Sequence, residues 1–162
     1  MIDYNEALEK ILSKTRFLSS EKVPLNKSFG RILALNIKAR EHIPPFRKAT
    51  MDGYAVRSRD LMFPSQGEGV ELTVIDDLPA GKICKKRLKP GTAIRIMTGA
   101  VLPEGADAVV MVEDTERRGE KVLIRRKVQP GENIGLPGED VQKGETILEK
   151  GVKIGGAEMG ML

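Results

Sequence analysis

With 162 residues, 40% of them hydrophobic and 31% charged, the chain has the composition of one ordinary folded domain or two small ones, not of a disordered segment. A net charge of only +4 argues against a dense nucleic-acid-binding face, and a single cysteine excludes an internal disulfide framework. No apolar stretch approaches the ~20 residues of a membrane span, and the six N-terminal residues Met1 to Glu6 carry no secretory signal, so a cytoplasmic protein is expected.

The chain opens with a predicted helix. Asp3 and Glu6 have capping-box spacing, and Tyr4, Ala7, Leu8, Ile11 and Leu12 recur at helical intervals up to about Thr15. Val23-Pro24-Leu25 reads as a short edge segment, since proline cannot donate to a ladder. Residues 28–33 read as a helical turn, and Leu33, Leu35 and Ile37 alternate as in a half-buried strand. Only one of the 17 glycines, Gly30, precedes Gly53, so the chain changes character there.

From residue 44 onward, strands and turns alternate. Strands are expected at 70–75, 92–97, 108–112 and 121–128, with Arg118-Gly119-Glu120 as a hairpin turn before the last. The unbroken apolar run 108–112 predicts a strand buried on both faces. This spacing of short strands predicts a small barrel or sandwich. Residues 145–154 read as strand, turn, strand. Residues 155–162 read as the first turns of a helix that the chain's end cuts short, which predicts a piece of a longer protein.

Three loops and two lone residues are chemical candidates. Met51-Asp52-Gly53-Tyr54 follows the rigid Pro44-Pro45 pair, and it is either a plain turn or a loop presenting the Asp52 carboxylate to a hard cation. Arg95 to Ala100 places the Thr98 hydroxyl at a strand end beside Gly99, where backbone N–H groups form a plain turn or cradle an anion. Gly138-Glu139-Asp140 pairs two acids, which by spacing alone read as an exposed acidic turn; the Glu113-Asp114 pair after the apolar run 108–112 reads the same way and is not counted among the three. Cys84 lies among Lys82, Lys85, Lys86 and Arg87, which lower a thiol pKa, although a partly buried small residue in a strand is the simpler expectation. His42, the only histidine, has no companion for a His-rich metal site.

The run Pro44-Pro45-Phe46-Arg47-Lys48-Ala49-Thr50-Met51-Asp52-Gly53-Tyr54-Ala55-Val56 resembles the P-x-F-x-x-S-x-M-D-G-Y-A-[VL] signature of the molybdopterin molybdenumtransferase (MoeA) family. Ala49-Thr50 stands where Ser-Ala is more usual. Residues 28–33, 91–100, 103–110 and 131–140 match further family segments in order. The resemblance covers nearly the whole chain. It implies an α+β, β-rich fold like the N-terminal region of that family. A discontinuous linking (dimerisation) domain from 1–43 and 141–162 would carry an inserted barrel- or sandwich-like β lobe at 44–140. The family's α/β and C-terminal β-barrel domains would be absent.

The resemblance also implies a reaction: molybdate is inserted into adenylylated molybdopterin, AMP leaves, and Mg²⁺ assists. Asp52 is then the expected catalytic or metal-associated acid, and Thr98 a catalytic hydroxyl near the cleft. Arg95, Gly99 and Asp140 are the expected cofactor contacts, with Arg47 a further anion contact. Implied partners are a second copy in a homodimer and a molybdopterin adenylyltransferase, with neither nucleic acid nor membrane. Because the family cleft lies between one subunit's lobe and the other's α/β domain, the chain alone is expected to be inactive. The alternative is a non-catalytic dimerisation or scaffolding module, a role that related animal proteins also fill.

Overall fold

The computed structural model describes residues 2–16, 18–62 and 69–162. The chain divides into two units, one built from 1–37 and 146–162, the other from 38–145. The first unit opens with helix α1 (Tyr4–Lys14), whose N-cap Asp3 accepts from the Asn5 N–H at 3.4 Å. The expected capping box does not close, because the Glu6 carboxylate pairs with Lys10 one turn on. Helical spacing holds, yet no residue of α1 is buried: Tyr4, Leu8, Ile11 and Leu12 are all exposed.

The next segment departs from expectation. Leu25–Lys27 is a single 3-10 turn rather than an edge segment. Residues 28–33 form a turn with Gly30 at φ 78 rather than a helical one. The strand predicted over 33–37 shrinks to β1 (Ile37–Lys38), and Leu35 is exposed. Leu33 bonds instead to Val152 and Gly151, in an irregular ladder that an alternation rule does not detect.

The second unit contains β2 (Lys48–Ala49), β3 (Gly53–Val56), β4 (Val70–Leu78), β5 (Thr92–Ile96), β6 (Ala108–Met111), β7 (Thr115–Arg118), β8 (Lys121–Ile124) and β9 (Ile134–Gly135). Six of them form one curled sheet in the order β6-β3-β5-β4-β8-β7, while β2 pairs with β9 separately. The sheet keeps two edges, so it is half a barrel rather than a closed one. Every neighbouring pair is antiparallel except β4–β5, whose parallel pairing requires the long connection 79–91. Tyr54, Val56, Leu72, Ala93, Val110 and Ile124 pack on one face; Ala55, Leu78, Ile94, Ile96 and Val109 pack on the other. Successive side chains point to opposite faces, so a sheet covered on both sides produces the unbroken run of β6. Full burial of Ile94 or Ile96 contributes about 1.5–3 kcal/mol each.

Two strands differ from expectation. β8 stops at Ile124, since Arg126 turns aside to pair with both Asp114 and Glu132. β7 was not expected, because Thr-Glu-Arg-Arg on an exposed edge has no apolar face to reveal it. Arg118 pairs with Glu116 of the same strand and with Glu71 of β4, Lys121 pairs with Glu71, and beyond β8 Arg125 pairs with Glu116 and Arg126 with Asp114, so ion pairs occupy much of the basic stretch 117–127.

The chain then returns to the first unit. β10 (Thr146–Leu148) pairs with β1, the turn at Gly151 (φ 93) follows, and Lys153 bridges to Ile32. α2 (Gly156–Met161) is the expected helix, with the Glu158 carboxylate accepting from the Gly155 N–H at 2.9 Å.

A carboxylate anchored between loops as the candidate active site

The short strand β2 gathers all three candidate loops. The Ala49 N–H donates to Ala100 O at 3.0 Å, and Ala49 O accepts from the Gly99 N–H at 2.8 Å. On the other side Lys48 and Ala49 pair with Gly135 and Ile134, and the Thr50 N–H donates to Asn133 O at 3.1 Å. Before β2, Pro44 O accepts from the Gly138 N–H and Ile43 O from the Asp140 N–H. Segments 43–53, 97–102 and 131–140 are thereby stitched through backbone bonds, whatever their side chains. The Ile43–Pro44 peptide is cis.

Asp52 stands just ahead of β3, exposed to solvent. Its carboxylate Oδ1 accepts from the Thr98 N–H at 2.7 Å and from the Thr98 hydroxyl at 2.8 Å. Its own carbonyl accepts from the Val112 N–H at 3.0 Å. Oδ2 has no hydrogen-bond partner among the described residues. The Thr98 N–H, then its hydroxyl, lower the Asp52 pKa below its ordinary 3.8; slight burial opposes them and the Arg95 charge adds to them. Asp52 is therefore ionised at neutral pH. The result is a carboxylate fixed by one oxygen and presenting the other.

Arg95 lies opposite Tyr54 in the β3–β5 ladder. Its Nη1 donates to Gly53 O at 2.9 Å, and its guanidinium carbon sits 5.2 Å from the centroid of the buried Tyr54 ring. Gly53 itself is required by close approach. A Cβ there would lie 1.8 Å from Val110 O, inside any real contact.

The turn after β5 is not an anion cradle. Its successive donors are spent within the chain: Thr98 N–H on Asp52, Gly99 N–H on Ala49 O, and Ala100 N–H on Met97 O. Gly99 contributes its φ of 82 rather than a free donor. Asp140 shares the stitched region through its backbone, but no hydrogen bond joins its side chain to Asp52, Thr98 or Arg95. Its neighbour Glu139 is the engaged acid, accepting from the Leu136 N–H and lying 3.9 Å from Lys48 Nζ. Arg47 enters the network by its carbonyl, which accepts from the Leu102 N–H. Asp114 pairs with Arg126 in the hairpin surface.

Cys84 is half-buried in a loop rather than a strand. Burial first, then the Asp76 carboxylate beside it, raises its pKa above 9.0, against the lowering expected from neighbouring cations. Lys86 is drawn to Asp76 and to Ile75 O instead. Two residues escaped sequence reasoning. Asn133 holds φ 56 and donates its amide to Val109 O, and Tyr54 serves as the platform beneath Arg95. Asparagine's tolerance of left-handed backbone was the available signal for the first.

The donor set fits a divalent cation only in part. Among the described residues no group of three or more His, Cys, Asp or Glu converges. Asp52 Oδ2 fits a single ligand position. Mg²⁺ is commonly held by one or two carboxylates together with phosphate oxygens, so the chain suits a shared ion and not a complete cage. No helix among the described residues is long and apolar enough to cross a membrane.

Fold and site together define a β-rich module, inserted between the halves of a small α/β unit, that presents one anchored carboxylate. The profile of the MoeA N-terminal region (domain I and II) matches residues 2–162, and the chain belongs to that family. The chain is 41% identical over 157 residues to the molybdopterin molybdenumtransferase of Bacillus subtilis (strain 168), covering 94% of this chain and 36% of that protein. It is 38% identical over 161 residues to the enzyme of the same name from Staphylococcus epidermidis, covering 99% and 38%. The solved molybdopterin biosynthesis moeA protein of Pyrococcus horikoshii OT3 superimposes with a TM-score of 0.93 at 42% identity, covering all of this chain and 43% of that one. The chain thus spans about two fifths of the length of these relatives.

Proposed function

We propose that this chain supplies one side of a molybdenum-insertion active site in molybdenum cofactor biosynthesis, as the N-terminal part of a molybdopterin molybdenumtransferase. The observation that carries the reading is the exposed Asp52 carboxylate, ionised and fixed through Oδ1 while Oδ2 accepts no hydrogen bond among the described residues. Thr98 keeps that carboxylate charged and oriented. Asp52 and Thr98 then serve adenylylated molybdopterin and molybdate, with Asp140 and Gly99 at the margin of the same stitched loops. Mg²⁺, shared between Asp52 and the substrate's phosphates, would neutralise charge that develops as the phosphate linkage breaks and AMP leaves.

The remaining ligands and the substrate pocket lie outside residues 1–162 on this reading, so the chain alone is inactive. Residues 1–43 and 141–162 act as the linking domain of a cytoplasmic homodimer, and a molybdopterin adenylyltransferase hands over the substrate. The exposed apolar stripe Tyr4, Leu8, Ile11 and Leu12 on α1 supports a dimerisation role. The same stripe favours the second reading, a non-catalytic dimerisation or scaffolding module. The test joins this chain to the remaining domains of the Bacillus subtilis relative in place of the matching segment. AMP release coupled to molybdenum insertion by the hybrid, and none by the chain alone, is expected. A folded hybrid without activity favours the scaffold, and activity in the chain alone contradicts the half-site.

A further inference from the structure

We infer that Arg95 is a positioning residue that locks the Asp52 loop to the end of β5, and is not a contact for an anionic substrate. Three observations converge on it. Its Nη1 donates to the carbonyl of Gly53, the residue that follows Asp52. Its guanidinium lies over the ring of Tyr54, which is itself buried in the core of the sheet. It sits three residues before Thr98, the donor that fixes Oδ1. One side chain therefore ties both residues after Asp52 to the strand that delivers Thr98.

Guanidinium chemistry explains why arginine stands there. Its plane stacks on an aromatic face while its edge donates a hydrogen bond, and it never deprotonates. A lysine ammonium cannot stack as a plane and donate along its edge together. The backbone supplies the other half of the clamp: Asp52 O accepts from the Val112 N–H just after β6, and Gly53 pairs with Ile96 and Met111 on either side. Without Arg95 the peptide between Gly53 and Tyr54 loses its side-chain restraint, and the freedom passes to the Asp52 carboxylate. A guanidinium committed to Gly53 O and Tyr54 must leave both to bind a phosphate or molybdate oxygen.

The catalytic meaning of this role rests on the proposed function; the loop geometry does not. The test compares wild type, Arg95→Met and Arg95→Lys of this chain by NMR. Hydrogen exchange of the Thr98 amide reports the bond to Asp52, the Ile94 amide reports β5 within the sheet, and the Val109 amide, which donates to Glu132 O at 3.0 Å, reports the seating of β6 on the 131–140 segment. Both variants are expected to exchange the Thr98 amide about tenfold faster or more while the other two amides keep wild-type protection. Inorganic phosphate, titrated into wild type, is expected to leave the Arg95 guanidinium resonances in place. Unchanged Thr98 protection in Arg95→Met overturns the proposal, as does rescue by Arg95→Lys or displacement of the Arg95 resonances by phosphate. In the hybrid enzyme, positioning predicts that Arg95→Met lowers kcat and holds KM within about twofold, whereas a substrate contact raises KM. An inactive wild-type hybrid would count against the proposed function, while the exchange and phosphate measurements would still decide the role of Arg95.

Discussion

Gly53→Ala is the substitution whose cost follows most directly from the backbone. The added Cβ would stand 1.8 Å from Val110 O, 2.8 Å from Val110 C and 3.1 Å from the Met111 Cα. A relaxed carbon–oxygen contact is about 3.3 Å or longer, so roughly 1.5 Å must be found. All three obstructing atoms belong to backbone, so no rotamer relieves the clash. β3 would have to part from β6, stretching N···O distances from about 2.9 Å to beyond hydrogen-bond range. Overpacking costs about 1–3 kcal/mol, and each lost ladder bond about 1 kcal/mol more. The expected loss is about 3–5 kcal/mol, a large part of the ~5–15 kcal/mol that stabilises a typical domain. With a urea slope of ~2 kcal/mol/M, the unfolding midpoint should fall by about 2 M. Near-UV circular dichroism gives the assay, because Tyr54 is buried while Tyr4, the other tyrosine, is exposed. A midpoint unchanged within about 0.3 M would refute the close-approach argument.

Three further outcomes are expected. Thr98→Val removes the hydroxyl donor but keeps the N–H, so the Asp52 pKa should rise part-way toward 3.8 in a carbon-detected NMR titration; an unchanged value would contradict the hydrogen-bond assignment. The sign follows from linkage: the folded pKa of Asp52 is depressed, so its contribution is complete above 3.8 and lost as pH falls through the folded value, and Thr98→Val should lose that contribution at higher pH than wild type. Cys84, with its pKa raised above 9.0, should alkylate more slowly than free cysteine at neutral pH and accelerate only under alkaline conditions; brisk alkylation at neutral pH would show that the cations win. Asn133→Ala should cost about 2 kcal/mol, from left-handed strain and the lost bond to Val109 O, while Asn133→Gly loses only the bond and about half as much; equal losses would remove backbone strain from the account.

Much of the sheet was legible because its residues alternate by burial. β5 and β6 fall where the pattern places them, and both-face burial followed from the run at 108–112. The edge strand β7 escaped because its solvated residues carry no pattern, and 30–33 escaped because its pairing is irregular. At the site, the family resemblance marked Asp52 through the 44–56 signature and Thr98 through the 91–100 segment, and the structure brings them within hydrogen-bond distance. Neither spacing nor signature revealed that β2 stitches the loops by backbone bonds, since such bonds are independent of side-chain identity. The free-donor reading of Thr98-Gly99 failed for the same reason: occupied N–H groups leave no trace in a sequence. Arg95, expected from the family resemblance to contact the cofactor, donates to Gly53 O and lies over the Tyr54 ring, two partners that no sequence pattern reveals.

On the proposed function, Asp52 carries chemistry rather than merely closing a turn. The most direct test is Asp52→Asn in the hybrid with the Bacillus subtilis enzyme, assayed by AMP release and molybdenum insertion. Asparagine keeps an oxygen to accept from Thr98, so the fold should match wild type, with the unfolding midpoint lowered only by the charge-assisted part of those bonds. A fall in kcat of about 10²-fold or more is expected from the lost charge. A wild-type rate from a folded Asp52→Asn hybrid would contradict that role.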